Sequence, residues 1–441
     1  MPSSSARQVA LSILRTLHEA GHVAYLAGGC VRDALLNIEP KDYDVATDAH
    51  PETVRQLFPR SQFVGEAFGV VLVHLRGYSV EVATFRKEWG YADGRRPDQV
   101  IFTTAEEDAR RRDFTINALF ADPQETSDNT PGACASARAH SKIIDYVGGL
   151  ADLEARVLRA VGNADERFAE DYLRMLRAVR FAARLNFDIE QKTARAIALQ
   201  AKYLGQISRE RIGQEVQWML AQPDAGKRVH AARWMQQLKL DAAVLNEPSS
   251  DAELRILARL ADDAAYPTVL AAWLLDRHPG SDGTRNFDAQ SLHSFLDRHA
   301  PDIVSRWRRA LCLSNQSRDQ LRDVLNLLAR CLDWPALSVA QRKRLLACEA
   351  FGQTRRLLEA VDLQPLTQQL LAEAEPLLAE GVAPLPWVTG QDLIDLGLKP
   401  SPLFGRLLDE IYDAQLEHRV TTREQAVELL RQRHAERPRG A

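Results

Sequence analysis

Apolar positions change their period several times along the chain, and each change marks an element. Ala6 to Ala20 sets Val9, Ile13 and Leu17 at helical spacing, which predicts a packed first helix. A short apolar run then starts at Tyr25, breaks at Gly28-Gly29 and enters a second helical segment, Val31 to Leu36. After a turn at Glu39-Pro40 the chain resumes as an extended segment through Asp42, Tyr43 and Asp44. His50-Pro51-Glu52 introduces a short helix, Val54 to Phe58. Period two takes over from Gly69 to Phe85, where GVVLVHL, a turn at Gly77-Tyr78 and SVEVATF predict a β-hairpin. Its second strand puts Ser79, Glu81, Ala83 and Phe85 on one face and Val80 and Val82 on the other.

Residues 86–104 are polar and glycine-containing, with Arg95-Arg96-Pro97, and read as a mobile loop able to touch polyanions. EEDARRRDFTINALF follows, a helix or strand-to-helix junction in which Arg110, Arg111 and Arg112 adjoin Asp113. Asp122 to His140 has neither periodicity nor many large apolar residues and reads as a flexible surface insertion. IIDYVGGLADLEARVL then predicts a strand, a Gly148-Gly149 turn and a helix, and the first domain ends near Leu158. From Asn163 the pattern is helical, with Tyr172, Leu176, Val179 and Ala183 on one face. Beyond Ile207 come successive amphipathic helices, one of them started by a capping box at Ser250-x-x-Glu253. His278 to Asn286 reads as a loop, Ala383 to Trp387 as a boundary, and the basic C-terminal stretch as frayed. There is no repeat of fixed period.

Length and composition set the class. A chain of 441 residues, 45% hydrophobic and 26% charged, is an ordinary globular composition too long for one core. The net charge of −4 gives no bulk attraction to nucleic acid, so any such binding needs a local basic face. Five dispersed cysteines lack metal or disulfide spacing and indicate reduced thiols in a cytoplasmic protein. No apolar run reaches the ~20 residues of a membrane span, and the N-terminus has no signal-peptide pattern.

Candidate chemistry begins with Asp42 and Asp44. Side chains alternate along an extended segment, so the two project from one face, and carboxylates held that close repel unless a cation lies between them. Paired carboxylates of this kind carry magnesium ions roughly 3.5–4 Å apart in phosphoryl displacement; a solvated turn is the plain alternative. Gly28-Gly29 lets backbone amides approach a phosphate, with Arg32 close by. Glu81, acidic in an apolar strand, is either an exposed residue or a third metal-directed carboxylate. Downstream, Arg174, Arg177, Arg180 and Arg184 form a basic ridge. Asp171 and Arg174, one turn apart, present an acceptor beside donors. That edge matches the amino donor and ring-nitrogen acceptor of cytosine and adenine, and opposes uracil and guanine.

Four ordered motifs carry a resemblance. GGCVRDALL with KDYD, RRDFTINAL, DYVGG-x-x-DL and EDYLRMLRAVRF are similar to those of the class II tRNA nucleotidyltransferase and bacterial poly(A) polymerase family, in the DNA polymerase β superfamily. The resemblance covers nearly the whole chain and implies an α+β fold: a polymerase-β-like head with a mixed sheet, then all-α neck, body and tail. The expected divisions are 1–158, 159–222, 223–350 and 351–441. It further implies Asp42 and Asp44 as Mg2+ ligands, with Glu81 as the third catalytic carboxylate. Gly28, Gly29 and Arg32 would contact nucleotide, Arg112 with Asp113 its phosphates or sugar, Arg177 and Arg180 the triphosphate. Asp171 and Arg174 would template the base. Tyr91-Ala92-Asp93-Gly94-Arg95 looks like the family's flexible loop, and TGQDLIDLGLKPSP like a tail motif in which glycine usually stands at Ser401.

The activity so implied is template-independent addition of C and/or A, from CTP and ATP, to the 3′ end of tRNA, releasing pyrophosphate. The rivals are an A-adding-only partner of a split system, a poly(A) polymerase, and a catalytically inactive RNA-binding protein. Neither a membrane nor an obligate protein partner is indicated.

Overall fold

In the computed structural model the described residues are 5–64, 69–89, 99–123, 141–278, 287–396 and 402–435. The flexible-loop motif at 91–95, most of the predicted 122–140 insertion, the 279–286 loop, Ser401 and the last six residues lie outside them. The chain divides into two compact units, Met1–Met219 with His230–Ser250, and Leu220–Val229 with Asp251–Ala441.

The first unit opens on helix α1, Ala6–Glu19, capped by reciprocal bonds between Ser5 and Gln8. Its buried stripe, Val9, Ala10, Ile13, Leu14 and Leu17, packs on the back of a seven-stranded mixed sheet. In chain order follow β1 (Ala24–Ala27), α2 (Gly29–Leu35), β2 (Asp44–Thr47), α3 (Pro51–Leu57), β3 (Ser61–Phe63), β4 (Val70–Leu75) and β5 (Tyr78–Thr84). Next come the two-stranded ribbon of β6 (Arg86–Trp89) and β7 (Gln99–Phe102), then α4 (Ala105–Arg110), β8 (Phe120–Pro123), β9 (Ser141–Ile144) and α5 (Gly149–Glu154). The sheet order is β3-β4-β5-β2-β1-β8-β9. β2 is therefore central, antiparallel to β1 and parallel to β5. The expected hairpin is β4 and β5, with Val80 and Val82 buried as the alternation requires.

One detail differs from the sequence pattern. β2 starts at Asp44, so Asp42 lies on the lead-in and not in the strand. The reason is local: Asp44 pairs with Ala27, the last residue of β1, and Gly28 then turns the chain away.

The DYVGG turn is tied by one carboxylate. Asp145 accepts from the amides of Val147, Gly148, Gly149 and Leu150 at 2.9–3.0 Å, gathering the first N–H groups of α5. A Cβ on Gly149 would fall 2.3 Å from the Thr115 carbonyl oxygen, a backbone atom with nowhere to go. Gly149→Ala is accordingly expected to cost about 3 kcal/mol in urea unfolding of the first unit.

The long helix expected from Asn163 is two helices, α6 (Ala164–Glu170) and α7 (Leu173–Leu185). Asp171 leaves the helical region, φ −152° and ψ 104°, and its Oδ1 takes the amide of Leu173 at 3.0 Å. An acidic side chain that satisfies a helix's first amides favours starting a new helix there. Helices α8 (Gln191–Gln200) and α9 (Arg209–Leu220) complete the part that bears on the site.

The second unit is helical among its described residues. The helix Tyr266–Arg277 is buried along almost its whole length, and its Trp273 ring packs 5.3 Å from that of Trp307. The capping box expected at Ser250 does not form: the helix runs Arg255–Arg259, and Asp276 supplies its cap by accepting from the Ile256 and Leu257 amides at 2.9 Å. Ser250 instead gives its own amide to Asp241. Toward the C-terminus, Val388, Leu393, Leu407, Ile411, Ala414, Val420, Ala426 and Leu430 build a small core of their own, beginning just after the predicted 383–387 boundary. Among the described residues no helix is long and apolar enough to cross a membrane. Cys30, Cys312, Cys331 and Cys348 are free thiols.

Candidate active site

The parallel register of β2 and β5 aligns Val45 with Val82, so Asp44 stands level with Glu81. Val45 and Val82 point into the core behind the sheet, and alternation turns both carboxylates to the front. Asp42 is near enough for its charge to be felt at the same place. Burial on the side of Asp44 that faces protein pushes its pKa up to about 6, and the negative charges of Glu81 and Asp42 add to the rise while Arg112 opposes it. The three predicted carboxylates thus converge on Asp44. Mutual repulsion of this kind is what a divalent cation relieves, and magnesium is commonly held by one or two carboxylates with substrate oxygens completing its shell. Among the described residues no group of three or more His, Cys, Asp or Glu gathers tightly enough to enclose a metal unaided. The donor set fits a metal shared with substrate.

Beside these carboxylates lies Gly28, at φ +72°, a conformation L side chains rarely adopt. A Cβ there would also meet Arg112 Nη1 at 2.8 Å. The bare glycine lets the Arg112 guanidinium lie against the backbone, over the Phe120 ring at 5.0 Å. Arg112 donates through Nη1 to the Asn117 carbonyl at 3.0 Å and through Nε and Nη2 to Asp108. Arg111 shares that Asp108, which is buried, so two of the three arginines of RRRD are anchored by one carboxylate. The third, Arg110, pairs with Glu106 on the surface.

Arg32 is placed differently from Arg112. It is 2% exposed, donates to Asp33 at 2.6–2.7 Å and to Asn117, and lies over Phe181. Gly29 adjoins it, 3.7 Å from Arg32 Nη2 to where a Cβ would be.

The ridge of α7 is where the site's other half sits. Arg174, Arg177, Arg180 and Arg184 are its half-exposed positions, and every one has a carboxylate partner: Glu170, Asp113, Glu215 and Asp33. Asp113 receives Arg177 through Nε at 2.9 Å and Nη2 at 2.6 Å, and Asn117 Nδ2 at 3.2 Å. Burial alone would raise its pKa, but Arg177 and these hydrogen bonds bring it down to about 2. Asp171 and Arg174 are close in the chain yet separately held, Asp171 by Arg211 and Arg174 by Glu170 and the Arg167 carbonyl. The structure therefore gathers Asp42, Asp44, Glu81, Gly28 and Arg112 around the start of β2, and joins them to the ridge through Asn117, Asp113 and Arg177.

With this geometry established, comparisons with known proteins apply. Residues 24–159 match the family model described as the poly A polymerase head domain, and 186–239 that described as a probable RNA and SrmB-binding site of polymerase A. The chain is 35% identical to the CCA-adding enzyme of Lactobacillus delbrueckii subsp. bulgaricus over 95% of its own length and 96% of the relative's. The chain belongs to the CCA-adding enzyme and bacterial poly(A) polymerase family. A CCA-adding enzyme from Streptococcus mutans is 42% identical over 60% of the chain and 62% of its own length. The crystal structure of the Bacillus stearothermophilus CCA-adding enzyme in complex with CTP matches 98% of each chain with a TM-score of 0.67 at 28% identity. The mixed-sheet head followed by helices is the fold of that family, as the motifs implied.

Several residues that build this cluster had no strong signal in the sequence. Asn117 is the hub, touching Arg32, Arg112 and Asp113 at once; its signal was a lone amide inside the apolar run FTINALF. Asp108 was hidden in an acidic helix start. Asp33, Glu215 and Arg211 gave no signal of the residues they hold across the fold, Arg184, Arg180 and Asp171, which lie 151, 35 and 40 residues away.

Proposed function

We propose that this protein is a template-independent tRNA nucleotidyltransferase that adds C and A from CTP and ATP to the tRNA 3′ end, releasing pyrophosphate. The observation that carries the reading is the relationship, along nearly its whole length, to a CCA-adding enzyme. The juxtaposition of Asp44 with Glu81 supplies the chemistry. In the reaction the terminal 3′ hydroxyl oxygen bonds to the α-phosphorus as the bond to pyrophosphate breaks. Asp42 and Asp44 would hold Mg2+, which when bound lowers the pKa of the attacking hydroxyl and offsets charge on the phosphate oxygens. Glu81 reinforces the negative field at Asp44, and Arg112 faces the same place with positive charge.

In this reading Gly28 and Gly29 let the nucleotide come close to the backbone, whereas Arg32, buried and held by Asp33 and Asn117, stiffens that turn from inside and does not make the nucleotide contact that the resemblance implied. Arg177 and Arg180, with Arg112 and Asp113, bind the triphosphate and sugar. Asp171 and Arg174 read the base. Head, neck, body and tail are assigned to 1–158, 159–222, 223–350 and 351–441; the head-domain match ending at 159 and the compact core at 388–430 support the two outer assignments. The setting is cytoplasmic, where tRNA and reduced thiols coexist.

The test is incorporation of CTP and ATP, separately, into tRNA transcripts lacking the whole CCA or only the terminal A, and into an unstructured oligonucleotide. Expected is C then A on the first transcript, A on the second, little on the oligonucleotide, and loss of all three with EDTA. Incorporation of A alone would assign an A-adding partner, and long A tails on the oligonucleotide a poly(A) polymerase.

A further inference from the structure

The reading of Asp171 and Arg174 as the base-selecting pair, on which this inference rests, requires both side chains to keep one orientation without a base present. For Asp171 the local chain supplies only one bond, Oδ1 to the Leu173 amide at 3.0 Å. A carboxylate held at one oxygen still rotates about its own axis. The second point comes from α9, where Arg211 Nη2 donates to Asp171 Oδ2 at 2.7 Å. The pair is largely sheltered, with Asp171 16% and Arg211 25% exposed. One helical turn on, the same α9 grips α7 again through Glu215 and Arg180, 2.7 Å apart. A carboxylate accepts about four hydrogen bonds, so the two protein donors leave lone pairs for an amino group.

We propose that Arg211 is a positioning residue for base selection: by fixing the plane of the Asp171 carboxylate, it makes that group an acceptor for the amino group of cytosine or adenine and a mismatch for the carbonyl of uracil or guanine. Discrimination against a base that lacks the matching donor depends on the protein group being unable to turn away and find another partner. Release of Asp171 from Arg211 removes that constraint while leaving the strand carboxylates untouched.

The experiment measures kcat/KM for CTP, ATP, UTP and GTP on tRNA transcripts with the wild type, Arg211→Ala, Arg211→Lys, Asp171→Ala and the double variant. Expected for Arg211→Ala is a fall of about ten-fold or more in the CTP-to-UTP and ATP-to-GTP ratios, partly restored by lysine. The double variant should match Asp171→Ala alone. Should alanine lower the folded fraction, Arg211→Gln, which keeps most of the length and loses the charge, carries the same expectation. Unchanged ratios in the Arg211 variants beside relaxed ratios in Asp171→Ala overturn this inference and leave the base reader standing. A lower KM for CTP and ATP with ratios intact also overturns it, making Arg211 a latch that the base must open. Unchanged ratios in Asp171→Ala overturn the base-reader reading itself.

Discussion

Asp44→Asn is expected to reduce nucleotide incorporation by about 1000-fold or more while leaving the melting temperature of the first unit unchanged or higher. Both parts follow from one arrangement. The residue sits level with Glu81 on the central strands, and desolvation first, then the charges of Glu81 and Asp42, raise its pKa to about 6. The neutral amide relieves that repulsion, so the fold gains or loses little. In the proposed reading the same change removes a metal-directed oxygen from a reaction whose barrier falls mainly through charge neutralisation. Acidification should act in the same direction: as pH drops below about 6 the carboxylate takes up a proton and stops competing for a cation, and the acid limb should move to lower pH as magnesium is increased. Single-turnover incorporation across pH and metal concentration, read beside thermal unfolding, checks both. Activity retained in Asp42→Ala with Asp44→Ala would remove the metal assignment.

Arg177→Met is expected to destabilise the first unit by about 2–4 kcal/mol at neutral pH, the smaller end reflecting the solvent that reaches Arg177. Asp113 is the reason. Its side chain is 10% exposed, and Arg177 holds it ionised with a pKa near 2, below its ordinary value of 3.8. A depressed carboxyl contributes stability that is complete above about pH 4 and disappears as pH falls through 2. Without the arginine, burial has the larger effect and the carboxyl moves above its ordinary value, so the variant suffers most where Asp113 must be ionised. The gap between variant and wild type should therefore narrow as pH is lowered from 7 toward 4. Urea titrations at the two pH values decide it, and a gap that stays constant would mean that the pair is not the cause.

The elements were legible in the sequence wherever period and burial agree. The α1 stripe, the β4–β5 hairpin and the apolar face of α7 are buried as their spacing requires. Asp42 and Asp44 stood out as a D-x-D pair and Glu81 as an acid in an apolar strand, but the alignment of Asp44 with Glu81 depends on β2 running parallel to β5, and register is not written in either strand alone. The ridge of α7 read as a free basic face. In fact each of its arginines meets a carboxylate; Asp113 stood out beside the RRR run, but its pairing with Arg177 did not, and Asp33 and Glu215 lie in stretches whose local sequence has no reason to announce them. The break at Asp171 was hidden for a similar reason: an acidic residue inside a strongly helical pattern looks like a surface position until its carboxylate is seen holding the next amide.

Asp33 and Arg184, 151 residues apart and 2.8 Å distant, together with Asp113 and Arg177, make the head and the helix that follows it a matched set. Recombination between relatives at residue 158 would inherit one member of each pair from each parent. Chimeras are then viable where both parents carry the same partners, or where the pairs are exchanged together. In this chain a change at either end of a pair sets the terms for the other.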